Sequence, residues 1–188
     1  MIIEPLTKEA TSTSLYNSEI GLKTFVELST NELTLYIYVK LNTIKKQIIR
    51  EFKRYDGNND GLISYEEFCG FMKNDETFAE NGEDFNKLMF WLIDVDHNGM
   101  IDKEEFTRYK LIRKQVVSNS PESYYKFIFK LIDVDKNGFI DYEEFDNYCK
   151  ALEDYSQQKA IRYFNQLDVN EDGYISLEEF INAMVDDD

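Results

Sequence analysis

Among 188 residues there are one histidine, one tryptophan, two prolines and two cysteines, and 21 basic side chains stand against 37 acidic ones. Each scarcity narrows the possible functions. With a single histidine, His97, and no nucleophile placed beside it in a motif, hydrolytic chemistry lacks its usual parts. No glycine-rich phosphate cradle or kinase signature is present, so no enzyme is expected. A formal charge of −16 argues against direct nucleic-acid binding, which draws on lysine and arginine. Two cysteines, Cys69 and Cys149, cannot build a disulfide framework and are expected to be reduced. No apolar run reaches the length of a membrane span. Met1 to Pro5 includes an early acid and no signal-type apolar stretch. Residue 2 is not glycine and the C-terminus is not a prenylation box. A cytoplasmic protein with no transmembrane segment or lipid anchor is the expectation.

What the chain does contain is repetition. Asp56 to Glu67, Asp94 to Glu105, Asp133 to Glu144 and Asp168 to Glu179 share one twelve-residue pattern, with starts 38, 39 and 35 residues apart. Each has Asp at position 1, Asp or Asn at 3 and 5, Gly at 6, Ile at 8 and Glu at 12. Oxygen-bearing side chains at alternate positions can wrap a hard cation that takes six to eight oxygens. Asp56, Asn58 and Asp60 supply them in the first stretch; Asp94, Asp96 and Asn98 in the second. Asp133, Asp135 and Asn137 serve the third, and Asp168, Asn170 and Asp172 the fourth.

The glycine permits a sharp turn. Position 7 contributes only a backbone carbonyl, which frees its side chain: Leu62, Met100, Phe139 and Tyr174. Position 9, often acting through water, is Ser64, Asp102, Asp141 and Ser176. Glu67, Glu105, Glu144 and Glu179 close each loop with two oxygens on a longer arm, which favours calcium over the smaller octahedral magnesium. Ile63, Ile101, Ile140 and Ile175 suit a short strand through which two loops can pair. An acidic surface turn without metal is the bland alternative, and four complete copies speak against it.

On these residues the chain resembles the EF-hand superfamily, in particular its four-hand calmodulin-like branch, from about Asn42 to Val185. The resemblance implies an all-α fold: four helix–loop–helix units paired into two lobes, with short antiparallel β bridges between paired loops. It implies four Ca2+ sites. The flanking sequence agrees. A Phe stands four residues before each loop (Phe52, Phe90, Phe129, Phe164), and another directly follows each terminal Glu (Phe68, Phe106, Phe145, Phe180). Both positions face one core on amphipathic helices.

The expected organisation is an N-terminal extension over 1–41, partly helical, a first pair over 42–117 and a second over 118–188. Leu33 to Leu41 is apolar enough for a strand, but it runs into a helical stretch, and extra helix before the first hand is preferred. Residues 1–20 lack periodicity. A bend is expected at Val117 to Pro121, with Ser120 as N-cap.

The second hand departs from the pattern, with Asn86, Lys110 and Arg113 at core-side positions; Ile112 and Val116 are the alternative inward face. Lys103, Arg108, Lys110, Arg113 and Lys114 read as a solvated face, or as a partner-docking stripe. Phe85, Leu88 and Trp91 lie off the expected core face, against the other lobe or under Leu33 to Leu41.

The ligand positions hold fourteen carboxylates, so the acidity needs no basic partner. An intracellular calcium sensor that exposes a surface for a target protein helix is one reading. A buffer or storage protein that stays closed is the other; having only five methionines favours this, or a sensor with few targets.

Overall fold

A computed structural model describes residues 15–16, 23–24, 30–73, 82–115, 120–152 and 154–185. The chain forms two compact units, residues 1–47 and 48–188. The first contains a two-stranded antiparallel pair, β1 (Leu15–Tyr16) and β2 (Lys23–Thr24), in which Leu15 faces Thr24 and Tyr16 faces Lys23. Leu15 and Tyr16 fall in the stretch that lacks periodicity in the sequence; the rest of residues 1–20 lies outside the described residues.

Leu33 to Leu41 is helical, but not as a separate helix. It belongs to α1 (Thr30–Tyr55), 26 residues that run on into the first hand. No glycine or proline interrupts this stretch, so nothing ends the helix between its two parts. The Thr43 hydroxyl donates to the Val39 carbonyl at 2.9 Å, which satisfies it without breaking the ladder.

In the second unit α2 (Tyr65–Met72), α3 (Glu83–Ile93) and α4 (Lys103–Gln115) complete the first pair of hands. The second pair comprises α5 (Pro121–Ile132), α6 (Tyr142–Lys150), α7 (Gln157–Leu167) and α8 (Leu177–Val185). All eight flanking phenylalanines are buried. Phe52 meets Phe106 edge-on at 5.5 Å, and Phe68 meets Phe90 at 5.6 Å. The second pair repeats this with Phe129 on Phe180 at 5.7 Å and Phe145 on Phe164 at 5.8 Å. Edge-to-face rings at such distances add to plain area burial.

The paired loops meet as expected. Ile63 and Ile101 exchange two backbone bonds of 2.9 Å as an isolated bridge. β3 (Phe139–Ile140) and β4 (Ile175–Ser176) form an antiparallel pair with Ile140 opposite Ile175.

The two pairs of hands also pack on one another. Tyr109 of α4 lies 6.2 Å from Phe127 of α5, the Arg113 guanidinium sits over Phe127, and Phe85 of α3 stacks on Tyr124. Arg113 of the irregular second hand is thus used against the second pair. Asn86 is 8% exposed, and Ile112 is buried as the alternative face required; Val116 lies outside the described residues. Lys110 pairs with Glu51, and its ammonium lies over the Phe106 and Tyr109 rings. Lys103 lies over Phe52. The basic stripe is therefore largely used inside the molecule, with stems on aromatic surface.

Ser120 accepts from the Ser123 amide at 3.2 Å and caps α5, with Pro121 in the first turn. The rest of the expected bend, 117–119, lies outside the described residues.

Candidate metal centre

Each loop begins as a helix ends. Asp56, Asp94, Asp133 and Asp168 donate their amides to Phe52, Phe90, Phe129 and Phe164 carbonyls, all at 2.9 Å, and all four aspartates are buried. The loop then reverses. Gly61, Gly99, Gly138 and Gly173 have φ between 85° and 89°, a region side chains rarely adopt. Their amides donate to the first aspartate's carboxylate at 3.1, 2.9, 3.1 and 2.9 Å.

Position 4 is also left-handed: Asn59, His97, Lys136 and Glu171 have φ of 54° to 63°. The varied side chains there give no sequence signal for this strain. His97 is exposed, as its place in the loop suggested, yet its ring stacks on Trp91 at 4.0 Å.

Positions 3 and 5 work as a unit. The Asn amide of one donates to the Asp carboxylate of the other: Asn58 to Asp60, Asn98 to Asp96, Asn137 to Asp135 and Asn170 to Asp172, at 2.9 to 3.1 Å. The position 7 side chains of Leu62 and Met100 are half-buried, and Phe139 and Tyr174 are exposed, as residues with only a carbonyl to contribute can be.

The terminal glutamate spans its loop. Glu105 Oε1 accepts from the Val95 amide at 2.8 Å and Oε2 from the Asp102 amide at 2.9 Å. Glu67 bridges Gly57 and Ser64, Glu144 bridges Val134 and Asp141, and Glu179 bridges Val169 and Ser176 in the same way. In return Ser64, Asp102, Asp141 and Ser176 accept from the glutamates' own amides and cap the next helix.

The inner loops differ from the outer ones. In loops 2 and 3 the ligand atoms of Asp94, Asp96 and Glu105, and of Asp133, Asp135 and Glu144, lie within 4.8 Å of one another. Burial raises Asp94, Glu105, Asp133 and Glu144 above the ordinary carboxylate range, although backbone amides oppose the shift. Loops 1 and 4 carry Asn at position 3 where loops 2 and 3 carry it at position 5, and Ser64 and Ser176 at position 9 where the inner loops have Asp102 and Asp141. There the Ser64 amide, ahead of burial that works against it, holds Glu67 below its usual range. For Glu179 burial is the largest influence, yet the Ser176 amide and hydroxyl with the Asn170 and Val169 amides outweigh it and lower it too.

Asp133 supplies the test of fit. The position 5 amide serves Asp56, Asp94 and Asp168 through Oδ1, at 3.1, 3.2 and 3.0 Å. Asp133 Oδ1 is buried with no hydrogen-bond partner. A buried anionic oxygen facing other carboxylates is costly unless a cation joins it. An all-oxygen set of this kind suits a hard divalent ion.

A family model for an EF-hand domain pair matches residues 122–185, and two EF-hand models match 47–75 and 85–110. The chain is similar to the calcium-binding allergen Ole e 8 of Olea europaea, 39% identical over 66 residues that cover 34% of this chain and 39% of that protein. It is also similar to an uncharacterized calcium-binding protein of Caenorhabditis elegans, 32% identical over 71 residues, 37% of this chain and 31% of that protein. The matches thus span less than half of either relative. Among the described residues no helix is long and apolar enough to cross a membrane. With its paired helix–loop–helix units and oxygen-lined loops, the chain belongs to the EF-hand superfamily of calcium-binding proteins.

Proposed function

We propose that this chain binds four calcium ions and acts as a sensor whose second pair of hands offers a surface to a target protein helix. In each loop the ligands are the carboxylates and amide oxygens at positions 1, 3 and 5, the position 7 carbonyl, position 9 and the terminal glutamate. Glu67, Glu105, Glu144 and Glu179 provide two oxygens each. The loops share one hydrogen-bonded frame, which supports four sites rather than two.

One observation carries the sensor reading: an apolar hollow of about 530 Å³ in the second pair, bordered by Phe145, Tyr148, Leu152, Tyr163, Leu167 and Met184. Tyr163 and Leu152 are exposed there, and aromatic and aliphatic walls suit the apolar face of a helix.

Two measurements test this. Calorimetry at saturating calcium should give four bound ions; two or fewer rejects the four-site assignment. Hydrophobic-dye fluorescence should rise severalfold on adding calcium. An unchanged signal in a calcium-loaded protein would instead make the chain a buffer.

A further inference from the structure

Loops 2 and 3 belong to different pairs and share no β bridge, yet one residue touches the backbone before both. Arg108, on α4 just past loop 2, donates from one guanidinium nitrogen to the carbonyls of Lys130, Leu131 and Asp133, at 3.2, 2.7 and 3.3 Å. Its other terminal nitrogen lies 3.5 Å from the Leu92 carbonyl. These groups end α5 and α3, the helices that lead into loops 3 and 2. The last carbonyls of a helix have no partner within it and carry partial negative charge. One fork therefore ties both helix ends together.

Trp91 makes a second tie. Its indole N–H donates to the Asn147 carbonyl of α6 at 2.8 Å, while its ring stacks on His97 of loop 2. Between the loops lies a cavity of about 40 Å³, lined by Trp91, Val95, His97, Val134, Glu144 and Asn147 among others. Val95 and Val134 occupy the same position in their loops, and their amides hold Glu105 and Glu144.

We propose that Arg108 and Trp91 couple loops 2 and 3 across the two pairs, so that calcium bound at loop 2 strengthens binding at loop 3, and the reverse. Filling loop 2 fixes the end of α3 and the start of α4, and with them the guanidinium fork and the indole. Those groups already hold the end of α5 and α6 in place. The ordering that both loops require is then met once, which is a source of positive cooperativity. Arg108 is a positioning residue here, not a ligand. Burial works most against its charge, and Asp133, Glu144 and Glu105, within its electrostatic reach, offset that in part. The proposal rests on calcium binding at loops 2 and 3 as assigned above.

The Gly99 and Gly138 amides donate to Asp94 and Asp133, so their resonances in the ¹⁵N-labelled full chain follow each loop separately during calcium titration. Disabling loop 2 with Glu105→Gln should move the Gly138 midpoint to higher calcium by about fivefold or more. Disabling loop 1 with Glu67→Gln should move it less. Glu144→Gln should shift Gly99 by a similar factor, since coupling is reciprocal.

In an Arg108→Gln background the shift of Gly138 caused by Glu105→Gln should vanish, and Arg108→Lys, which keeps charge without the fork, should restore only part of it. If Arg108→Gln does not fold, Trp91→Phe carries the test. It keeps a ring for His97, deletes the bond to Asn147 and should reduce the shift. Unresponsive Gly99 and Gly138 would overturn the calcium assignment itself. Responsive amides with a Gly138 shift below about twofold in Glu105→Gln would overturn the coupling alone. A full shift retained in Arg108→Gln or Trp91→Phe would overturn the route.

Discussion

Ile140→Ala is the most direct perturbation of the second pair. Ile140 is 0% exposed, and its partner across the bridge, Ile175, is also 0% exposed. The substitution leaves the backbone bridge intact and removes only buried carbon. The loss combines transfer of those atoms to water with the cavity left behind, about 2–5 kcal/mol in all. For a chain of this size each kcal/mol moves the melting temperature by about 2–4 °C, so the calcium-free variant should melt roughly 10 °C lower.

Calcium should return much of this. Each filled site adds about 2.7 kcal/mol at one hundred times its Kd, so the two sites of the second pair together rival the cavity penalty. The control is Val169→Ala, an aliphatic truncation in the same pair at a position 77% exposed, which should change stability by less than about 0.5 kcal/mol. The assay is thermal unfolding by circular dichroism, with chelator and with calcium. Equal effects from the two variants would refute the view that the position 8 isoleucines form the floor of the loops. So would an Ile140→Ala shift of only a degree or two without calcium.

On acidification from about pH 7 towards about pH 4, the Gly99 and Gly138 resonances should lose their calcium-bound positions before those of Gly61 and Gly173. Ligands must be deprotonated to bind, and Asp94, Glu105, Asp133 and Glu144 are raised while Glu67 and Glu179 are lowered. Without calcium the sign reverses for stability. The raised groups hold more protons folded than unfolded, so their contribution is present below the ordinary carboxylate range and is lost as pH rises through their folded values. A chelated protein whose unfolding is unaffected by blocking loops 2 and 3 with Asn and Gln across that window would contradict this. Cys149, buried and pushed up to about 11, should resist a thiol reagent until the protein unfolds; reaction in the native state would show that α6 opens locally.

Much of the site is written in twelve-residue windows. The spacing of Asp56, Asn58, Asp60 and Glu67, repeated three times, is set by chain geometry within one turn-rich loop, and no distant residue is needed to form it. The flanking phenylalanines were equally legible, because helical period puts Phe52 and Phe68 each on the apolar face of its own helix. Pairing through Ile63 with Ile101, and Ile140 with Ile175, followed from a β-branched residue at one fixed position. The left-handed position 4 was not legible, since Asn59, His97, Lys136 and Glu171 share no chemistry; the closed loop imposes that conformation from outside.

The sequence by itself determined the family, the helix–loop–helix repeat and the candidate ligands, because all three rest on contacts close along the chain. Tertiary structure alone decided what the irregular second hand is for. Arg113 looks misplaced on an isolated helix, and Arg108 reads as part of a solvated face; both become intelligible only when α4 lies against α5, with Arg113 over Phe127 and Arg108 on the α5 carbonyls. Trp91 finds its acceptor 56 residues away, at Asn147. Hydrogen bonds to helix-end carbonyls leave no periodic trace in sequence, since any helix end offers the same groups. Which carbonyls Arg108 reaches was fixed by how the two pairs dock, a matter of shape and burial over many residues at once.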